Sequence, residues 1–217
     1  MNSPFFINLL DEITSDERYY GEMAEAKKEF EKIAGQIMES DNSYNERINA
    51  FHNWYILDRP LNSTGKTPIQ FYVESKSGSI PEDNLAGTKE LIENHHSLFE
   101  LVKLGKEDAV LKDLIQNKKI RVENADQLES LEKGDLFNSR LFQHGKLTYL
   151  SNYLILHPYS VYKLIRTEAK KVRKNGENAK PFLFRLLFFH SRWEQFTQMD
   201  VNNIYRFGAE FHGQKAV

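Results

Sequence analysis

This chain reads as an α+β protein: an N-terminal helical region over 1–97, a small antiparallel β-barrel-like module over 98–157, and basic, aromatic C-terminal helices over 158–217 that pack back on the N-terminal region. Three observations carry that reading. Apolar residues recur at helical steps through the first part; after Ser97 the texture changes to short runs bounded by turn residues; after Pro158 helical spacing returns. The two helical regions are equally compatible with one domain interrupted by the sheet.

Tyr19, Met23, Ala26, Phe30, Ile33 and Ile37 alternate steps of four and three, which predicts one amphipathic helix across them. Ser15 followed by Asp16 and Glu17 suits a helix start, since these side chains cap free amides and favour the positive end of the dipole. The stretch SDNS at 40–43 breaks the pattern. Tyr44, Ile48, Phe51 and Tyr55 then define a second helix, which Pro60 stops because the residue before a proline is pushed out of helical geometry. Thr67-Pro68 sets a capping threonine before a proline at the first helical position and opens a short helix through IQFYVES. Pro81 repeats the device for a helix ending near His95.

LFELVKLG, AVLKDLI, KIRVEN, GDLFNSRLFQHG and KLTYLSNYLILH predict about five strands, turned near Gly105, Asn117, Gly134 and Gly145. Beyond Pro158, Tyr162, Ile165, Ala169 and Val172 form an apolar stripe with basic residues beside it. KNGEN interrupts, Pro181 restarts the helix, and FLFRLLFFH is apolar nearly all round, as burial on both sides requires.

With 217 residues, 40% of them hydrophobic, the chain can bury a core. It has no cysteine, which excludes disulfides, thiol catalysis and cysteine zinc sites. The N-terminus lacks the basic and apolar regions of a secretory signal, and no apolar run approaches the roughly 20 residues of a membrane span, so the expectation is a cytoplasmic protein without membrane contact. Net charge is -2, but residues 1–97 hold 9 Lys/Arg against 17 Asp/Glu and residues 158–217 hold 11 against 5. The simplest reading is that the two ends face each other in one fold.

Gly65-Lys66-Thr67 lacks the earlier glycine and preceding strand of a phosphate-binding loop. The seven histidines show no metal-ligand spacing, and no nucleophile elbow or dinucleotide-binding glycine pattern is present. The chain is therefore expected to be no enzyme and to carry no metal or cofactor. The strongest functional feature is the basic helix, where Lys163, Arg166, Lys170, Arg173 and Lys174, with Tyr159 and Tyr162, have the charge to track phosphates and the rings to stack bases. The same pattern also fits a solvated face, or one complementing the acidic N-terminal region. Trp193 and Phe196, in FHSRWEQF, read as buried core in preference to a partner-binding patch.

Several short motifs stand in a fixed order: Phe51, Trp54 and Asp58; Gly65 and Thr67; Leu111, Asp113 and Leu114; then Gly134, Asp135, Leu136, Arg140 and Leu141. Over residues 45–157 the chain thereby resembles an uncharacterised bacterial family often seen with a C-terminal SEC-C zinc motif. The resemblance implies a helical corner followed by a compact β-module and brings no activity with it; the zinc motif needs cysteine and is absent. Read from their chemistry, Trp54, Asp58, Arg59, Thr67, Gly134, Asp135 and Arg140 are candidates for a structural junction, with Arg140 reaching Asp58 or Asp113. The functional expectation is a non-enzymatic binding or adaptor protein that engages a protein partner. The alternative is a nucleic-acid-binding protein that uses the basic helix with the β-module.

Overall fold

The computed structural model describes residues 11–75, 91–123 and 126–208. Its first part is helical. Residues 11–15, α1 (Glu17–Tyr20) and α2 (Met23–Ala34) lead into α3 (Tyr44–Leu57) and α4 (Pro68–Ser75). The single helix predicted from Tyr19 to Ile37 is thus two, broken at Gly21 and Glu22 and ending at Ala34. Glycine is a weak helix former, and no side chain caps the restart at Glu22. Gly35 ends α2 at φ +87°. At α4 the capping expectation holds and extends: Thr67 Oγ1 accepts from the Gln70 amide at 3.4 Å, and Gln70 Oε1 accepts from the Thr67 amide at 3.0 Å, a reciprocal box. The helix expected after Pro81 lies outside the described residues except for a helical turn at 91–92.

Among the described residues six strands follow: β1 (His95–Leu104), β2 (Asp108–Asp113), β3 (Lys118–Glu123), β4 (Leu136–His144), β5 (Leu147–Leu150) and β6 (Ile155–Leu156). His95 and His96 belong to β1, not to a preceding helix. β1 pairs antiparallel with both β2 and β4, using its first half for β4 and its second for β2, with a bulge between Leu101 and Lys103. β2 pairs with β3, and β4 with β5 and β6, also antiparallel. The expectation of an antiparallel module needs one correction: β3 meets β5 in parallel through Glu123 and Tyr149, so the sheet is mixed. The chain crosses after β3 through a 3₁₀ turn (Asp126–Leu128) and places β4 beside β1. The hairpin partner β5 then falls beside β3 running the same way. Pairing therefore runs β1-β2-β3-β5-β4 and returns to β1. Phe99, Leu101, Ala109, Leu111, Val122, Phe137, Leu141 and Leu150 fill the space within, joined by Leu128 from the crossing.

Two long helices, α5 (Tyr162–Asn175) and α6 (Ala179–Gln195), and the short α7 (Val201–Ile204) complete the fold. Leu98 of β1 and Leu136 of β4 point away from the sheet interior, where Ile165, Ala169, Leu183 and Leu186 cover them. Leu187 and Phe184, on another side of α6, join the core of the N-terminal helices. This double contact explains why α6 is apolar nearly all round, and it is how the C-terminal helices pack back on the N-terminal ones. Arg47, 2% exposed on α3, ties the elements together. Its Nη2 donates to the carbonyls of Ala34, Gly35 and Gln36, satisfying the end of α2, and its Nη1 donates to Leu187 of α6.

The basic helix is not the element that meets the acidic N-terminal region. α5 lies on the sheet, and α6 makes the return contact.

Candidate nucleic-acid interface

Residues paired directly across strands share a face, so the register Glu100–Lys112–Lys119 sets three side chains in a row over the outside of β1, β2 and β3. Lys119 is exposed and Lys112 partly so. Arg166 of α5 reaches Glu100 at 3.3 Å and donates to the Gly134 carbonyl at 2.8 Å. One end of that row is therefore neutralised and the helix is fixed beside it. Two turns on, Arg173 donates to the Leu114 carbonyl at 2.8 Å, which anchors the far end of α5 near the turn from β2 to β3.

Lys163 and Lys170 stand three residues before these arginines, and Lys174 follows Lys170 by four. The lysines thus form the next row around the helix, outward from the sheet contact. All three are exposed. Among the described residues no ion pair engages Lys112, Lys119, Lys163, Lys170 or Lys174. Arg121, on the same sheet face, is held by Asp108 at 2.9 Å and Glu123 at 3.4 Å.

The seven residues singled out around the basic helix therefore divide. Lys163, Lys170 and Lys174 are free to meet a ligand, whereas Arg166 and Arg173 dock the helix. Tyr162 is buried and donates to Asp135 at 3.0 Å, so its ring offers no stacking surface; Arg166 lies over that ring. Tyr159 is 83% exposed but stands before the first residue of the helix, edge-on to Tyr162. Sequence reasoning missed Lys112 and Lys119, because only strand register places them beside Glu100.

The junction candidates also separate by place. Asp58, at the end of α3, accepts from Arg140 of β4 and from Lys180 of α6, the latter at 3.0 Å, and Arg140 also donates to Asn94. Burial pushes the Asp58 carboxyl up, but the charge and hydrogen bond of Arg140, with Lys180, outweigh it and hold the group below the usual carboxylate range. Asp113, the other partner considered for Arg140, instead accepts from Ser97 at 2.9 Å and from the amides of Ile115 and Gln116. Arg59 stays within the helical region, paired with Glu22 and Glu29, each at 2.8 Å. Trp54 packs on Phe30 with ring centres 5.5 Å apart, and Thr67 caps α4. Gly134, at φ +97°, and Asp135 turn the chain into β4 and give α5 two of its anchors, through Arg166 and Tyr162.

Residues 8–192 match the model of a family of unknown function, DUF7986. The chain belongs to that family. No curated protein and no solved structure matches the chain. The DUF7986 match spans the motifs at 51–141, the whole sheet and α5, so the lysine rows and the Asp58–Arg140 pair all lie within it. Among the described residues no group of three or more His, Asp or Glu is placed to hold a metal ion, and no helix is long and apolar enough to cross a membrane.

Proposed function

We propose that this DUF7986 protein is a non-enzymatic binding protein whose ligand is a nucleic-acid strand, held by its phosphates across the outside of β2 and β3 with α5 along one side. The observation that carries the reading is the pair of lysine rows that no ion pair engages among the described residues, Lys112 and Lys119 on the sheet and Lys163, Lys170 and Lys174 on the helix. Arg166 fixes one row beside the other and uses Glu100, the acid that would otherwise neutralise the sheet row.

The strand order adds support. Closure as β1-β2-β3-β5-β4, with β1 bridging, is the order of the OB fold, which binds oligonucleotides or oligosaccharides on its strand 2–3 face and its β1–β2 and β4–β5 loops. Those loops here carry exposed Lys106 and Lys146. A fold hosts many functions, so the weight rests on the lysines. With no aromatic side chain in either lysine row, the contact is to phosphate, and little sequence preference is expected.

The test is binding of a fluorescently labelled single-stranded oligonucleotide to the protein and to a variant with Lys112, Lys119, Lys163 and Lys170 all changed to Gln. A loss of affinity of about tenfold or more in a variant of unchanged circular dichroism is expected. Equal affinity would overturn the assignment. The protein-partner reading rests on a different surface: Phe196 and Met199, 39% and 43% exposed, lie three residues apart beyond α6. A partner seated there would tolerate moderate salt and be lost on replacing Phe196 and Met199 with Ser.

A further inference from the structure

Away from the lysine rows, the N-terminus of α3, the segment after β6 and the last turn of α6 enclose a cleft of about 760 Å³. Leu156, Tyr159 and Trp193 give it apolar and aromatic walls; Glu46, His190 and Glu194 give it polar groups; no lysine or arginine lines it. His190 is 4% exposed. Its Nδ1 has no hydrogen-bond partner among the described residues and lies 3.8 Å from Glu194 Oε2. Burial holds the ring neutral, and with the proton on Nε2 the Nδ1 lone pair is a buried acceptor in search of a donor. The nearby carboxylate cannot supply that donor while ionised. Glu194 is itself held in place by the amide of Ser43 at 3.1 Å and by the Ser43 hydroxyl.

We propose that this cleft is a binding site for a primary alkylammonium group. Such a group carries several N–H donors on a single positive charge. One satisfies His190 Nδ1 and another Glu194, while Glu46 adds a second negative charge. The alkyl chain lies along Leu156, and the faces of Tyr159 and Trp193 favour a cation beside them. A quaternary ammonium has the charge without the donors and would leave Nδ1 unsatisfied. A carboxylate ligand would meet three acidic side chains, Glu46, Asp135 and Glu194, and no cation. Free polyamines and lysine side chains of a polypeptide both present the required group.

The experiment follows Trp193 fluorescence while the full-length protein is titrated with n-butylammonium, with tetramethylammonium and butyrate as controls. A saturable change with n-butylammonium that is at least about tenfold weaker with tetramethylammonium and absent with butyrate is expected, as loss of charge-assisted hydrogen bonds implies. Glu194→Gln should weaken n-butylammonium binding about tenfold or more. Tyr159→Ala, at a position too exposed to threaten the fold, should weaken it a few fold. Spermidine and N-acetyl-lysine methylamide then separate the sources: tighter binding of the first marks a free polyamine, and of the second a lysine side chain. No saturable response to n-butylammonium, an equal response to tetramethylammonium, or undiminished binding in both variants would overturn the proposal.

Discussion

His157 shows how a buried titratable group is held in one state. Its Nε2 donates to Asn138 Oδ1 at 2.8 Å, Asn138 Nδ2 donates to the Leu183 carbonyl at 3.2 Å, and the Tyr205 hydroxyl is left to donate to His157 Nδ1 at 3.1 Å. The amide end fixed by Leu183 makes Nε2 the donor, and the Tyr205 hydroxyl is the donor to Nδ1 because burial holds the His157 ring neutral. Burial pushes its pKa down to about 3, and burial with the neighbouring His157 and Arg47 pushes that of His190 well below the ordinary value. Between those values and the unfolded value of about 6.5, the unfolded chain binds more protons, so stability falls as pH falls. The loss expected between about pH 6 and pH 4 is up to about 3 kcal/mol per pH unit for the two groups, read from urea unfolding. Asp58, whose pKa is lowered, works in a different window: its contribution is complete above about pH 4 and disappears as pH falls through the folded value. A stability flat from pH 6.5 to pH 4.5 would sink the neutral-histidine account. Asp58→Ala strands the buried Arg140 guanidinium and should cost about 3 kcal/mol, against about 0.5 kcal/mol for Lys180→Ala at the exposed end of the same network. If the two variants unfold at the same urea concentration, the Asp58–Arg140 pair is not what joins α3 to the sheet.

Packing of α2 on α6 depends on a single missing side chain. A Cβ at Gly35 would stand 2.6 Å from Ser191 Cβ, and φ there is +87°, so Gly35→Ala combines steric overlap with backbone strain. A loss of more than about 2 kcal/mol is expected. Gly65→Ala provides the comparison, since φ is +67° but nothing lies within 4 Å, and it should cost only about 1 kcal/mol. Similar losses at both positions would mean that α2 and α6 are free to move apart. Much of this level was legible in the chain: the stripes of α3 and α5, the stop before Pro60, the start at Pro68, and the turns at Gly105, Gly134 and Gly145 all fall where local chemistry puts them. The parallel contact of β3 and β5 was not, because it depends on where the crossing after β3 delivers β4, which no local pattern encodes. The break at Gly21 was hidden by an apolar stripe that continues across two helices.

Charge shows the same boundary at the level of the protein. The basic character of the C-terminal third was plain, yet its arginines and lysines look alike in sequence and do different work. Arg166 and Arg173 anchor α5 to the sheet, while Lys163, Lys170 and Lys174 stay outward with no ion pair among the described residues. Asp58 with Arg140 was within reach because an acid at a helix end and a lone arginine in an apolar strand each need a partner. Lys112 and Lys119 were out of reach, since they gain meaning only from register with Glu100. His190 and Glu194 sit four residues apart, a spacing that was available in FHSRWEQF, but the cleft they share needs α3 and the segment after β6 to close it.

Phosphate binding by these lysines has a signature that stability changes cannot imitate, because each neutralised phosphate releases counterions. The decisive measurement is oligonucleotide affinity against salt concentration for the protein and for the variant lacking Lys112, Lys119, Lys163 and Lys170. The expected plot of log K against log salt is steep for the protein and shallower by about 3 for the variant, roughly 0.7 for each lysine removed. Parallel lines, or binding by the unaltered protein that ignores salt, would contradict the assignment of this face to nucleic acid.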